Sequence, residues 1–156
     1  MDGLRNVFAR NCEVRRLDKP TVSAFLDSFH RLGYTTCRYR YGLVVKRCTG
    51  SGELALPSGT VVAVACFSNA RRWLRDGRRI SSYEWVRYAS VEGVRVVGGM
   101  GKLLEAFVRD VSPDDIMSYA DLSWPDGGRV YEKLGFVEEC RVERAGHLNA
   151  KYRKVF

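Results

Sequence analysis

Hydrophobic residues recur at helical spacing in two segments of the chain. In the first segment they are Val22, Phe25, Leu26, Phe29 and Leu32. Intervals of three and four residues place these side chains on one face of an amphipathic helix. Asp18 stands at the N-cap position of this predicted helix, and Gly33 ends it. The second segment follows Gly98, and its hydrophobic residues are Leu103, Leu104, Phe107 and Val108.

Segments rich in β-branched and aromatic side chains predict strands over 12–17, 39–46, 60–67, 83–91, 116–120, 136–142 and 148–155. Residues 126–134 predict a further short helix that ends at Gly135. Between the strands at 60–67 and 83–91 we expect a loop. This loop carries Arg71, Arg72, Arg75, Arg78 and Arg79.

The predicted order of elements is β-α-β-β-β-α-β-α-β-β, and its first half is an antiparallel meander. Only the central β-α-β step forces parallel pairing, because its crossover must return on the same side of the sheet. We therefore expect an α/β (α+β) fold with a mixed, mostly antiparallel central sheet flanked by helices. It forms a single domain spanning residues 1–156.

Composition excludes several classes of protein. Of the 156 residues, 46% are hydrophobic and 28% charged, which rules out a disordered or fibrous chain. No apolar run reaches the roughly 18 residues that cross a bilayer, and the first 16 residues carry arginines rather than a signal peptide. Five cysteines without C-x-x-C spacing predict reduced thiols. We expect a cytoplasmic protein without membrane contact.

The net charge of +8 belongs to one half of the chain. Residues 1–80 hold 15 Lys and Arg against 6 Asp and Glu, whereas residues 81–156 hold 11 against 12. Such segregation favours an anionic partner met on one face, through long-range attraction and counterion release. A solvated basic surface is the alternative interpretation.

A glycine-rich segment joins a predicted strand to the second long helix. It reads Arg95, Val96, Val97, Gly98, Gly99, Met100, Gly101 and Lys102. Glycines at such a junction let the backbone approach an anion, and the first amides of the helix point at it. The spacing is neither that of a P-loop nor the G-x-G-x-x-G dinucleotide fingerprint. It indicates a pyrophosphate cradle, or else a purely structural turn.

A second segment, Tyr131-Glu132-Lys133-Leu134-Gly135-Phe136, follows some 30 residues later. Together with the Arg-x-x-Gly start of the preceding helix, it resembles the GCN5-related N-acetyltransferase (GNAT) superfamily over residues 83–139. The resemblance implies acetyl-CoA as acyl donor, with the pantetheine arm along Ala89, Ser90 and Val91. It further implies that residues 95–102 hold the pyrophosphate and that Tyr131 protonates the leaving thiolate.

The chain departs from the family pattern at three positions. Met100 replaces a small residue, and Trp124 and Gly127 stand where the family usually has Asn and Ala. The run 118–127, together with residues 25–33, resembles a divergent branch of the family found in phage-encoded domains. Some domains of that branch are attached to DNA endonucleases.

Three ionisable residues are candidates for the base that deprotonates an incoming amine. Asp121 ends a predicted strand, and its alternative role is that of a turn residue. His30 lies at the end of the first helix, where histidine also interacts favourably with the helix dipole. Glu84 serves as a base only if its strand turns it inward. With only His30 and His147, we expect no metal site.

These observations predict an N-acyltransferase in which a bound amine attacks acetyl-CoA directly. The alternative is a DNA-associated protein of the same fold, which meets nucleic acid through the arginines of residues 71–79 and Trp73. The sequence leaves open the identity of the amine acceptor. It also leaves open whether the chain forms a homodimer through its last strands.

Overall fold

The computed structural model describes residues 5–47, 56–123, 128–144 and 146–156. They form two compact units, Met1–Ser68 with Val86–Ser112 and Asn69–Trp85 with Pro113–Phe156. In chain order the elements are β1 (Arg5–Phe8), a 3-10 turn (Ala9–Asn11), β2 (Cys12–Arg16), α1 (Lys19–Phe29), β3 (Tyr39–Val45), β4 (Val61–Phe67), β5 (Arg71–Arg75), β6 (Arg78–Ser90), β7 (Val94–Val97), α2 (Gly99–Val111), β8 (Asp115–Asp121), α3 (Arg129–Lys133), β9 (Val137–Arg144) and β10 (His147–Val155).

The sheet of the first unit has the order β2-β3-β4 followed by the last part of β6. β2, β3 and β4 pair antiparallel, while β1 and β7 form a separate parallel pair. Helix α1 begins as its sequence predicts, because the Asp18 side chain accepts a hydrogen bond of 2.9 Å from the Thr21 amide. Its buried Val22 and Leu26 pack with Val64 of β4 in the core of this unit.

Helix α2 packs on the same sheet through Phe107. Its ring stacks on Phe67 of β4, with ring centres 4.0 Å apart and planes inclined by 5°. Tyr41 of β3 contacts both rings edge-on and donates a hydrogen bond of 2.9 Å to Asp110. Aromatic packing of this kind fixes the orientation of α2, and therefore of the glycine segment at its start.

The second unit begins with a two-residue hairpin between β5 and β6. Asp76 and Gly77 both have positive φ, as a type I′ turn requires. The first part of β6 pairs parallel with β8, and β8, β10 and β9 follow as antiparallel neighbours. The buried Asp115 carboxylate of β8 forms ion pairs with Arg75 and Arg153.

The fold class expected from the sequence is confirmed: the sheet is mixed and mostly antiparallel, with helices packed on it. The expected loop that carries the arginines is wrong, because Arg71, Arg72 and Arg75 lie on β5 and Arg78 and Arg79 open β6. The sequence also missed β1 and β7, since four residues are too few for a clear alternation. That one domain spans residues 1–156 stays a prediction.

Two smaller expectations also have an outcome. The helix expected at 126–134 is described only as α3, and Trp124 and Gly127 lie outside the described residues. Cys12, Cys37, Cys66 and Cys140 are free thiols, as expected, and Cys48 lies outside the described residues. None of the described helices has the length and apolar character to span a membrane.

Candidate functional site

The glycine segment of the first unit forms a sharp turn between β7 and α2. Gly98 is the N-cap of α2 and has a φ of +77°, a left-handed conformation that suits glycine. Within the described residues, no side chain caps the amides that follow. The first amides of a helix lack intrahelical partners, and the helix dipole adds partial positive charge there. The turn can therefore accept an anion through its backbone.

Gly99 is required by close packing. A Cβ atom at this position would lie 2.9 Å from Cγ1 and 3.0 Å from Cβ of Val96, and 3.2 Å from Cδ1 of Leu43. Along β7, Val94 and Val96 are buried, whereas Arg95 and Val97 are exposed. The alternation leaves Arg95 exposed, three residues before Gly98.

Lys102 contributes to the turn from within the protein. Its ammonium donates hydrogen bonds of 2.9 Å to the Ala9 carbonyl and 2.6 Å to the Cys12 carbonyl. These bonds tie the first turn of α2 to the segment between β1 and β2. Two of the three N–H groups of the ammonium therefore bond to these carbonyls. One N–H group remains for the predicted contact between Lys102 and a phosphate.

The segment predicted to line a pantetheine arm ends β6. Ala89 is buried, the Ser90 hydroxyl donates to the Val94 carbonyl over 3.1 Å, and the Val91 amide donates to the Val62 carbonyl over 3.0 Å. The Val91 amide is therefore engaged inside the first unit. The role of residues 89–91 stays a prediction.

His30 caps the end of α1 in the first unit. Its Nδ1 accepts a hydrogen bond of 3.0 Å from the Leu32 amide. Burial, together with the positive charges of Arg87 and Arg31, lowers the pKa of His30 to about 4. The ring is therefore neutral near pH 7, with its proton on Nε2 and its lone pair occupied. This geometry favours a structural role, and the catalytic role stays a prediction.

In the second unit, Tyr131 of α3 lies against Ser118 of β8. Ser118 Oγ is 2.9 Å from the Tyr131 hydroxyl oxygen and 2.9 Å from the Trp85 carbonyl. The Trp85 carbonyl can only accept a hydrogen bond, so Ser118 donates its single hydroxyl proton to that carbonyl. Tyr131 then donates its own hydroxyl proton to Ser118 Oγ. Burial raises the pKa of Tyr131, and the charge of Glu84 raises it further, against the opposing effect of Ser118. The phenol is thus protonated at neutral pH.

Aromatic rings hold the Tyr131 side chain in place. Trp85 and Phe136 meet it edge-on, with ring centres at 5.9 and 5.5 Å, and Tyr152 stacks on it at 5.6 Å. Gly128, the N-cap of α3, makes this possible, because a Cβ atom there would overlap the Tyr152 ring and hydroxyl. The position of the phenol is therefore fixed by packing as well as by Ser118.

Two carboxylates of the second unit were candidates for a base. Asp121 ends β8, and its Oδ1 accepts from the Ser123 amide at 2.9 Å and hydroxyl at 2.6 Å, as in an Asx turn. The Glu84 side chain is only 17% exposed, and its carboxylate lies 3.8 Å from the Arg144 guanidinium. Glu84 is therefore mostly buried, and its pairing with Met117 places it on the face of the sheet opposite Ser118 and Tyr131. Its role as a base stays a prediction. No group of three potential metal ligands occurs among the described residues.

The arginines predicted to meet nucleic acid divide between the two faces of the hairpin. Arg75 is paired with the buried Asp115, and Arg78 lies 3.8 Å from Asp114. Arg71 and Arg72 follow each other on β5, so they point to opposite faces. The five side chains do not form one continuous basic surface.

Comparisons with known proteins identify the fold. No protein-family model matches the chain, and no curated protein matches it significantly. Among solved structures, the NatC complex bound to Gag peptide and CoA has a chain that superposes with a TM-score of 0.64 at 13% identity, covering 94% of this chain and 99% of that one. The chain has the GNAT fold.

Two bacterial acetyltransferases share this fold. A mutant of the spermidine N-acetyltransferase SpeG from Vibrio cholerae gives a TM-score of 0.64 at 10% identity, with 94% of each chain covered. A histone acetyltransferase HPA2 and related acetyltransferase from Corynebacterium glutamicum gives 0.61 at 13%, covering 93% of this chain and 96% of that one. The phage-type branch receives no support from these structures and stays a prediction.

Sequence reasoning missed one member of the site, Ser118. Serine is common and carries no spacing signal, and its contact with Tyr131 arises only because β8 passes beside α3. Trp85 contributes its backbone carbonyl, which accepts the hydrogen bond from Ser118. Every residue has such a carbonyl, so the sequence carries no signal for this contact. The sequence could have found Ser118 only with the register of β8 already known.

Proposed function

We propose that the protein is an N-acyltransferase that uses acetyl-CoA and transfers its acyl group to an amine by direct attack. The observation that carries the proposal is the Gly98 turn, a left-handed glycine that opens α2 with uncapped amides in a chain with the GNAT fold. The NatC neighbour is bound to a peptide and CoA, and SpeG is a spermidine N-acetyltransferase. The NatC neighbour supports a CoA donor, and SpeG supports an amine acceptor.

The residues at the turn fit a pyrophosphate. Gly98 and Gly99 place no side chain over the backbone, the first amides of α2 can donate, and the exposed Arg95 adds a positive charge nearby in sequence. Lys102 holds the turn in position through the Ala9 and Cys12 carbonyls. Bound acetyl-CoA supplies an acyl thioester, whose sulfur departs as a thiolate when the acyl group is transferred.

Tyr131 is the proposed acid. Its phenol is protonated at neutral pH because burial raises its pKa. In the resting protein the Tyr131 hydroxyl donates its proton to Ser118 Oγ. The Ser118 hydroxyl donates in turn to the Trp85 carbonyl. When Tyr131 gives its proton to a thiolate, the Ser118 hydroxyl can rotate and donate to the phenolate oxygen. Ser118 thus acts as a positioning residue that stabilises the developing charge.

Three candidates remain for the base, and the geometry favours Glu84. The Nδ1 lone pair of His30 is occupied by the Leu32 amide, and Asp121 Oδ1 is occupied by Ser123. The Glu84 side chain is only 17% exposed and has Arg144 as a charged neighbour at 3.8 Å. Burial raises the pKa of Tyr131 and the negative charge of Glu84 raises it further, although Glu84 pairs with Met117 and so lies on the opposite face of the sheet from Ser118 and Tyr131. We therefore propose Glu84 as the group that accepts the amine proton.

The proposal is tested by acetyl-CoA binding and turnover. A ligand at a hundredfold excess over its dissociation constant stabilises the protein by about 2.7 kcal/mol, which thermal unfolding detects. Arg95→Gln should reduce this effect, whereas Arg109→Gln, an exposed arginine at the other end of α2, should not. Absence of any stabilisation by acetyl-CoA would contradict the proposal.

The acid role requires a second readout. Tyr131→Phe should retain acetyl-CoA binding and lose about a hundredfold or more in turnover, the usual contribution of a positioned acid. Ser118→Ala should lose less and should shift the alkaline limb of the pH profile upward, because the phenolate loses a donor. Unchanged turnover in Tyr131→Phe would remove this residue from the mechanism.

Three finer expectations stay predictions. They are a cytoplasmic location, a nucleic-acid partner and a homodimer. For nucleic acid, the split of the hairpin arginines between two faces weakens the expectation of a single binding surface.

A further inference from the structure

A pocket of about 120 Å³ lies on one face of the second unit. The side chains that define it are Arg71, Trp73, Glu84, Met117, Lys151 and Arg153. The strand register brings them together: Arg71 pairs with Ser82, Glu84 with Met117, and Met117 with Arg153. Directly paired residues point to the same face of a sheet, so these four strands contribute to one surface. Met117 is only 7% exposed and forms the apolar floor.

Trp73 forms a fixed wall of this pocket although it is 42% exposed. Its Nε1 donates a hydrogen bond of 2.7 Å to Ser82 Oγ, and Ser82 donates one of 2.6 Å to the fully buried Asp115. The Arg75 guanidinium lies over the ring at 4.9 Å and that of Arg153 at 6.0 Å. An exposed indole held by a buried hydrogen-bond chain presents a preformed stacking surface.

The charges around the pocket favour an anion. Arg153 donates to Asp115 and Glu139, and Lys151 lies 3.7 Å from Glu139, so both cations are already partly compensated. Arg71 is exposed and has no ion-pair or hydrogen-bond partner in the part of the chain that the structure describes. It is therefore the cation that an incoming carboxylate or phosphate would meet without displacing a protein partner.

The volume limits the ligand. A cavity of roughly 150 Å³ accepts benzene, so a pocket of about 120 Å³ encloses one small group or part of a ring, while the rest of the ligand lies in solvent. It does not enclose a whole nucleotide. Glu84 lines the same pocket and is the base of the proposed function. A ligand with an amine toward Glu84 and an anion toward Arg71 satisfies both charges.

We propose that this pocket binds the acyl acceptor, and that the acceptor is an amine whose planar ring stacks on Trp73 and carries a carboxylate or phosphate toward Arg71. The assignment of the ligand as acceptor rests on the proposed function, whereas the binding of a ring-bearing anion does not. The step that follows is direct: the amine nitrogen forms a bond to the acyl carbon, and the C–S bond breaks with its electron pair on sulfur. Tyr131 gives its proton to that thiolate, and Glu84 takes the proton of the amine.

The binding test uses benzoate, phenyl phosphate, inorganic phosphate and benzylamine with the full chain, measured by calorimetry. Benzoate or phenyl phosphate should bind, and a preference for one of them identifies the anion. Benzylamine, which lacks the negative charge, should bind less tightly. Inorganic phosphate, which lacks the ring, should also bind less tightly. Arg71→Gln should weaken binding of the ring-bearing anion roughly tenfold, since one charge-assisted hydrogen bond is lost.

Arg72→Gln is the matched control, because Arg72 is exposed on the same strand and faces the opposite side. It removes the same charge and should leave binding unchanged. Equal losses in the two variants would mean that general surface charge attracts the anion, which overturns the proposal. Failure of both ring-bearing anions to bind overturns it as well. Binding of a single-stranded oligonucleotide alone, weakened equally by both substitutions, would indicate a nucleic-acid surface instead.

The acceptor assignment is tested by turnover of 4-(aminomethyl)benzoate against benzylamine. The carboxylate compound should have the higher kcat/KM, and Arg71→Gln should lower kcat/KM for this compound more than for benzylamine, so that the preference is lost. Equal kcat/KM for the two amines in the native protein would overturn the acceptor assignment. If acetyl-CoA does not bind but benzoate does, the proposed function fails and the anion pocket stands.

Discussion

Protonation of His30 should destabilise the folded protein between about pH 6.5 and pH 4. In the folded state its pKa is about 4, because burial and the charges of Arg87 and Arg31 oppose a third positive charge. In the unfolded chain the pKa returns to the usual value of about 6.5. Between these values the unfolded state binds more protons, so the free energy of unfolding falls as the pH falls.

The magnitude follows from the two pKa values. At pH 5 the unfolded histidine is largely protonated and the folded one is not, which corresponds to about 2 kcal/mol at about 1.4 kcal/mol per pKa unit. His30 is only partly buried, so screening by solvent reduces the expected effect to about 1 kcal/mol. The loss is complete below the folded pKa and absent above pH 7.

The assay compares urea unfolding of the native protein and His30→Asn at about pH 7 and about pH 5. Asparagine keeps an acceptor at the position of Nδ1, so the bond from the Leu32 amide is retained while the titrating group is removed. The carboxylates of the two proteins titrate alike, and the difference between the proteins isolates His30.

Parallel stability curves at the two pH values would refute the account of His30 as a buried neutral cap. Turnover of the same variant gives an independent result. If His30 is only a cap, His30→Asn keeps its activity at pH 7. A large loss of turnover with unchanged stability would restore His30 as the base in place of Glu84.

Two further predictions concern the first unit. Gly99→Ala should lower the free energy of unfolding by about 1–3 kcal/mol, because its Cβ atom would meet Val96 at 2.9–3.0 Å; an unchanged urea midpoint would show that β7 yields there. Cys37 should react with iodoacetamide with a half-maximal rate near pH 6, since hydrogen bonds from Cys66 and Tyr34 and the charge of Arg40 lower its pKa to about 6 against the effect of burial. Peptide mass mapping measures this, and a midpoint near pH 9 would contradict it.

The helices and most strands could be predicted from the sequence because their signals are local. Asp18 caps α1 through the Thr21 amide, three residues away, and the hydrophobic spacing of α2 lies within 13 residues. The arginine-rich hairpin was missed for the same reason. Its residues are charged on both faces, so no alternation of polar and apolar residues identifies the strands; the Asp76-Gly77 turn was the available signal.

For the candidate site, the sequence identified residues but not what they contact. It singled out the segment around Gly98 as a turn that lets the backbone approach an anion; Gly98 has a positive φ, and the anion contact stays a prediction. It named Tyr131 from a motif, whereas Ser118 and the three surrounding rings follow from packing. It named Asp121 and His30 as candidate bases. It did not show that the Ser123 amide donates to Asp121 Oδ1 or that the Leu32 amide donates to His30 Nδ1.

By itself, the amino-acid sequence determined where the two long helices begin, which turn is built from glycines, and where positive charge is concentrated. These properties depend on neighbours within a few residues. The sequence did not determine where α1 ends, because that helix stops at Phe29 and not at the predicted Gly33. Tertiary structure decided which charges are already paired and which are available. Arg75 and Arg71 lie four residues apart on one strand, yet Arg75 pairs with the buried Asp115 and Arg71 remains open to a ligand. Only the strand register, which brings β8 beside β6, distinguishes them.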